Sequence, residues 1–119
     1  MKIVIAGGRE FNDIHKVITH MDLFLSKCKH LDIEIVSGNA KGADILGEEY
    51  AELRDYKVSK FPANWDKHGK GAGYKRNVEM ADYADALIAF WDGESKGTMH
   101  MINIANKKGI QVKVVNYEK

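Results

Sequence analysis

The stretch KIVIAGG, Lys2 to Gly8, decides how the rest of the chain is read. Its apolar residues Ile3, Val4, Ile5 and Ala6 follow one another without a polar break, and two glycines end the run. A strand with one face in water alternates apolar and polar positions, so an unbroken β-branched run predicts a strand buried on both faces. Such strands belong to parallel sheets covered by helices, and Gly7–Gly8 supplies the tight turn into the first of them. IEIVSG (Ile33 to Gly38) and ALIAF (Ala86 to Phe90) repeat the pattern. KVSKF (Lys57 to Phe61) and QVKVV (Gln111 to Val115) read as further strands.

Helical spacing fills the intervals. From Asn12, the expected N-cap, apolar residues recur at Ile14, Val17, Ile18, Met21, Phe24, Leu25 and Cys28, which predicts a helix to about Lys29. Ala43, Leu46, Tyr50 and Leu53 mark a second helix, a third spans about Tyr74 to Asp82, and a fourth runs from Thr98 to Lys108. Gly109 is placed to end the last one in a left-handed conformation. Alternating strands and helices imply right-handed crossovers and an α/β fold: a mainly parallel sheet of about five strands with helices on both faces. The 119 residues suit one domain, 1–119, with no repeat or linker.

Composition narrows the function. Lys and Arg total 18 against 17 acidic residues, so no global field gathers nucleic acid by phosphate neutralisation, and an anion site has to be local. Cys28 is alone and sits at a helical apolar position, which reads as a core thiol. No apolar run is long enough for a signal peptide or a membrane span, so a cytoplasmic protein without membrane association is expected. His15, His20, His30, His68 and His100 form neither an H-x-x-x-H pair nor a group with cysteine, so no metal and no cofactor are expected.

In open parallel sheets, ligands bind beyond the carboxyl ends of the strands. The four strand-exit loops, GGREF, SGNAKGAD, FPANWDKHGKGAG and WDGESKGT, hold all but Gly47 and Gly109 of the chain's 11 glycines. Glycine in any one loop can simply make a turn. Four such loops on one edge favour a phosphate-bearing ligand, because glycine lets backbone N–H groups and helix starts approach an anion. Neither G-x-G-x-x-G nor G-x-x-x-x-G-K-[ST] occurs, which argues against a standard dinucleotide site and a P-loop. Lys67, His68, Lys70 and Lys75 concentrate positive charge in the loop after the third strand, which reads as a mobile, glycine-hinged cover over an anion. Trp65 and Trp91 flank the expected cleft, where a tryptophan either stacks on a base or anchors its loop.

These segments in this order, with KRNVEMADYADALIAFWDG, a later G-T and GIQVKVV, resemble the YspA-like branch of the SLOG superfamily. Its members are small Rossmann-like proteins related to the lysine-decarboxylase-like LOG hydrolases, molybdenum-cofactor carrier proteins and DprA. The resemblance implies a Rossmann-like three-layer fold, a site for nucleotides or nucleotide-derived ligands, and a homo-oligomer.

Arg76, Asn77 and Met80 match the stretch where LOG enzymes carry R-K-x-x-M, whose arginine contacts substrate phosphate or the reacting sugar, so Arg76 is the first ligand candidate. A guanidinium suits this role because it grips phosphate through paired hydrogen bonds. Its bland alternative is a surface pairing with Glu79. Gly97 and Thr98 match the G-T of the LOG motif P-G-G-x-G-T-x-x-E, with Thr98 also expected as an N-cap. Gly7, Gly8 and Arg9 match the family's first turn, and Gly38, Ala40, Gly42 and Asp44 match G-x-A-x-G-A-D. Asp44 there either binds a ribose hydroxyl or complements the dipole of its helix.

The catalytic glutamate of the LOG motif aligns with Met101. The leading expectation is therefore a binder of a nucleotide-derived small molecule, acting as sensor or sequestering protein. The alternative is an N-glycosidic or phosphoribosyl hydrolase with a relocated acid such as Glu79, Asp92 or Glu94. A DprA-like nucleic-acid protein comes third, since the balanced charge argues against it.

Overall fold

A computed structural model of the chain describes residues 1–28 and 32–118. Five strands form one sheet: β1 (Lys2–Gly7), β2 (Glu34–Ser37), β3 (Lys57–Lys60), β4 (Ala86–Trp91) and β5 (Gln111–Asn116). Every pairing is parallel, and the strand order is β3-β2-β1-β4-β5. The helices are α1 (Ile14–Leu25), α2 (Ala43–Arg54), α3 (Trp65–His68), α4 (Ala72–Tyr83) and α5 (Lys96–Lys108), with a 3₁₀ turn at Gly69–Gly71 leading into α4.

The unbroken apolar runs of β1 and β4 now have their physical reason. Alternate side chains of β1 enter different cores. Ile3 and Ile5 join Ile35, Ile88 and Phe90 under Val17 and Met21 of α1 and Tyr50 and Ala51 of α2. Val4 and Ala6 join Leu87 and Ala89 on the opposite face, under Met80 and Ala81 of α4 and Met101, Ile102 and Ala105 of α5. The chain lays β2 and β3 to one side of β1 and then crosses back to place β4 on its other side. Right-handed crossovers in opposite directions put α1 and α2 on one face and α4 and α5 on the other. The strand order reverses between β1 and β4, and the crevice for a ligand opens at their carboxyl ends.

Several boundaries differ from the sequence reading. Asp13, not Asn12, caps α1: its side chain accepts from the Lys16 amide at 3.0 Å. The helix ends at Leu25, and the expected extension to about Lys29 reaches beyond the described residues, as does His30. Cys28 follows the helix and is half-buried against the first core, with Sγ 3.6 Å from Met1 Sδ. Leu53 lies at a helical position yet is 59% exposed.

The loop after β3 carries secondary structure that the periodicity did not show. Residues 65–71 are helical: Asn64 caps α3 by accepting from the Lys67 amide at 3.0 Å, and the 3₁₀ turn passes straight into α4. Gly109 ends α5 at φ 79°, as its position predicts. Among the described residues no helix is long and apolar enough to cross a membrane.

Candidate functional site

At the carboxyl ends of β1 and β4 lies a cleft of about 550 Å³. Of the residues singled out in the sequence, Gly7, Gly8, Arg9, Asp44, Trp65, Arg76, Asn77, Gly97 and Thr98 line it. They come from five segments distant in sequence, brought together by the strand order. Met80 and Met101 form part of its apolar lining.

Arg76 projects from the first turns of α4 and is held from two sides. Its Nη1 donates to the Gly38 carbonyl at 2.5 Å, and its Nε donates to Asn77 Oδ1 at 3.1 Å. Nη2 has no hydrogen-bond partner among the described residues, and it lies 3.8 Å from where a Cβ on Gly73 would sit, at the cleft wall. None of the ion pairs among the described residues, Arg54–Asp22, Lys57–Glu34, Lys60–Glu48 and Lys108–Asp82, involves Arg76. The surface pairing with Glu79 is therefore not made. Burial lowers the pKa of the Arg76 guanidinium, with nearby Asp44 acting in the opposite direction.

Asn77 is buried and acts as a brace. Besides accepting from Arg76 it donates to the Gly97 carbonyl at 3.3 Å, and its Nδ2 lies 3.2 Å from His100 Nδ1. His100 also stacks obliquely on Tyr74, and burial lowers its pKa. One arginine is thus tied to the second exit loop and, through one asparagine, to the start of α5.

Asp44, in the first turn of α2, is 6% exposed. One oxygen accepts from the Ala40 amide at 3.2 Å, so the side chain does fix its own loop. The other oxygen accepts no hydrogen bond among the described residues. The only buried side-chain nitrogen or oxygen without a partner among those residues is His20 Nδ1, so the second Asp44 oxygen is not sealed from solvent, and Asp44 is among the residues lining the cleft. Desolvation raises the carboxyl to about 6, against the downward pull of the Ala40 amide and of Arg76; Glu48 raises it further and Arg9 lowers it.

The glycines divide by role. Gly38 and Gly42 do not line the cleft. Gly38 supplies the carbonyl that holds Arg76. Gly42 opens α2, as expected, but at φ 92° it packs against the first exit loop, and the Ala43 amide that begins the helix donates to the Gly8 carbonyl at 3.2 Å. That helix start is occupied by the protein itself.

At α5 the start is more open. Ser95, not Thr98, is the N-cap, accepting from the Thr98 amide at 3.4 Å and exchanging a hydroxyl contact with Thr98 at 3.0 Å. Asp92 Oδ1 shapes the preceding turn by accepting from the Glu94 and Ser95 amides. The helix therefore begins two residues before Thr98, with Gly97 in its first turn at the cleft.

Trp65 and Trp91 part company. Trp65 lines the cleft and is 51% exposed, whereas Trp91 is half-buried and donates from Nε1 to the Ser95 carbonyl at 3.1 Å, which makes it a loop anchor. Lys70, Asp92 and Glu94 line the cleft, and Lys67, Lys75 and Glu79 do not. Glu10, Tyr74 and Tyr117 line it without having been singled out. No group of three or more His, Cys, Asp or Glu among the described residues could hold a metal ion.

Residues 1–68 match the profile of the YspA, cpYpsA-related SLOG family. Among known proteins, the chain is similar to the Gene 61 protein of Mycobacterium phage D29, at 34% identity over 117 residues, covering 93% of each chain. The chain belongs to the YspA, cpYpsA-related SLOG family.

Proposed function

We propose that the protein binds a nucleotide or nucleotide-derived molecule at the carboxyl edge of its sheet, and that it acts by sensing or sequestering that molecule. Membership of the SLOG family supports the ligand class. The observation that carries the reading is Arg76: a partly buried guanidinium lining the cleft, fixed at two of its nitrogens, with Asp44 nearby but no carboxylate at ion-pair distance among the described residues. Desolvating an unpaired cation costs stability, and an incoming phosphate repays it with charge-assisted hydrogen bonds. The α5 start beside it adds backbone N–H groups and a favourable dipole. Aromatic Trp65, Tyr74 and Tyr117 at the same cleft offer faces for a base.

A thermal-shift panel of AMP, ADP-ribose, NAD and cyclic nucleotides tests the reading. A ligand at about 100 times its Kd adds roughly 2.7 kcal/mol to the folded state. Stabilisation that disappears in a folded Arg76→Ala protein is the expected result, and a panel without any shift would refute it.

Hydrolysis of such a ligand is the second reading. It is favoured by Asp44, a cleft carboxyl raised to about 6, where a general acid operates best near neutral pH. Met101, where LOG hydrolases carry their glutamate, weighs against it.

A further inference from the structure

We infer that His100 is a positioning residue for Arg76: its neutral ring, with the proton on Nε2, holds Asn77 in the one orientation that fixes the guanidinium, so that protonating His100 frees Arg76 and weakens the grip on phosphate. The inference rests on Arg76 as the phosphate holder and adds a control of that same site.

The sense of each hydrogen bond leads to it. The buried Asn77 amide touches three groups, and two of them have a fixed role. Arg76 Nε only donates, so the Asn77 atom 3.1 Å from it is the oxygen. The Gly97 carbonyl only accepts, so the atom 3.3 Å from it is the amide nitrogen. Turning the amide over would set donor against donor at Arg76 and acceptor against acceptor at Gly97. Nδ2 carries two hydrogens, one for Gly97 and one for His100 Nδ1, which lies 3.2 Å away. His100 Nδ1 therefore accepts, and the ring proton sits on Nε2.

The surroundings favour the neutral ring. Burial lowers the pKa of His100 from 6.5, and no charged group contributes to the shift. From α4, Tyr74 lies with its ring centroid 4.4 Å away and brings no counter-charge. The strands under α5 present apolar Val4, Ala6, Leu87 and Ala89. On α5 itself Lys96, one turn earlier, opposes a second positive charge. None of the ion pairs among the described residues involves His100.

Protonation reverses one contact. An imidazolium donates from both nitrogens, so Nδ1–H would face Asn77 Nδ2–H. Asn77 cannot answer by turning over, because Arg76 needs its oxygen and Gly97 its nitrogen. Ring and amide separate, and Arg76 Nε loses a fixed acceptor. Asp44, which titrates at about 6, acts on a bound phosphate with the opposite sign: acid removes a negative charge from beside it.

The test is NMR on the full-length protein and on His100→Asn, which keeps an acceptor near the Nδ1 position and cannot ionise. Without ligand near pH 7.5, above the ordinary histidine range, ring nitrogen spectra should show a bare Nδ1 and a protonated Nε2. The Arg76 Nε–H signal should be protected from solvent exchange and lose that protection on acidification with the midpoint of His100, in the parent protein only. Binding is followed at Arg76 with ADP-ribose, cyclic AMP and inorganic sulfate, whose anionic groups keep their charge across the range. Parent affinity is expected to fall about five- to ten-fold from about pH 7.5 to about pH 5.5, the scale of one lost hydrogen bond, and that of His100→Asn by less than about two-fold. A proton on Nδ1, an Arg76 Nε–H indifferent to the ionisation of His100, or the same pH dependence in both proteins overturns the inference and leaves the phosphate reading standing. The first two are read on the parent alone and do not depend on how well the variant folds. Probes that never move the Arg76 signals remove both readings together.

Discussion

Asp44 and Arg76 face each other across Gly38, close enough that a single added methyl on Gly38 would stand 2.7 Å from atoms of both. Gly38 does not adopt a positive φ, so its φ does not call for glycine. The lack of a side chain there serves the pair, not the turn. Gly38→Ala is accordingly expected to displace the far end of Arg76, the more flexible of the two, and to weaken ligand binding by about ten-fold or more through a lost charge-assisted contact. Stability to urea should change by less than about 1.5 kcal/mol, because a flexible side chain can yield. An alanine variant that binds normally would show that the two side chains need not stay where they are.

Gly42 offers the contrast. It sits at φ 92°, and a Cβ there would come within 2.3 Å of the Gly8 carbonyl oxygen and 2.6 Å of the Arg9 backbone. Neither backbone can step aside without opening the start of α2. Gly42→Ala should cost at least about 2 kcal/mol, combining strained φ with a main-chain clash. Urea denaturation measures it directly. A near-neutral result would mean that the β1 and β2 exit loops are not locked together.

The two glycines look alike in sequence, and this shows where sequence reading stops. The buried strands were legible because burial on two faces leaves an unbroken apolar run, as in Ile3–Ala6 and Ala86–Phe90. α3 was not: none of its residues is buried, so it carries no apolar period, and its cap Asn64 looks like any loop asparagine. The caps of α1 and α5 were misplaced because Asn12 beside Asp13, and Ser95 near Thr98, are all residues that cap well. Tyr117 was invisible for a different reason. It follows β5, and only the placement of β5 beside β4 carries it to the cleft, where its amide donates to the Trp91 carbonyl at 3.1 Å. Arg76 and Asp44 could be named from motif position, but their juxtaposition is a product of the fold.

Asp44 makes stability depend on pH in a definite direction. Its carboxyl releases its proton near 3.8 in the unfolded chain and near about 6 in the folded one, chiefly through desolvation. The stability it contributes is thus fully present below pH 3.8 and is lost as pH rises through 6, amounting to about 3 kcal/mol at one pKa unit per 1.36 kcal/mol. Asparagine stays neutral throughout. Without ligand, Asp44→Asn should match the parent protein near pH 3.5 and exceed its stability by up to about 3 kcal/mol at pH 8. Chemical denaturation at the two pH values checks this. A variant less stable at pH 8 would mean that the ionised carboxylate is held by contacts stronger than its burial is costly.

The last expectation concerns chemistry at Met101, which lies on α5 one turn after Gly97, lines the cleft and is 1% exposed. In LOG-type hydrolases the matching position carries a glutamate toward the sugar, where a carboxylate can stabilise or protonate the species formed as the glycosidic bond breaks. A thioether can do neither. General acid or base participation contributes about 10² to 10⁴ in rate, so its absence at this position leaves turnover near background unless another acid takes over. Incubation with AMP or a related monophosphate should release no ribose 5-phosphate above a control without protein, while calorimetry still detects binding of a ribosyl phosphate. Asp44 is the group best placed to break this expectation, followed by Asp92 and Glu94 at the cleft. Free base released by the parent protein and abolished by Asp44→Asn, with the variant still folded and still binding phosphate, would make the protein a hydrolase whose acid has moved from α5 to the start of α2.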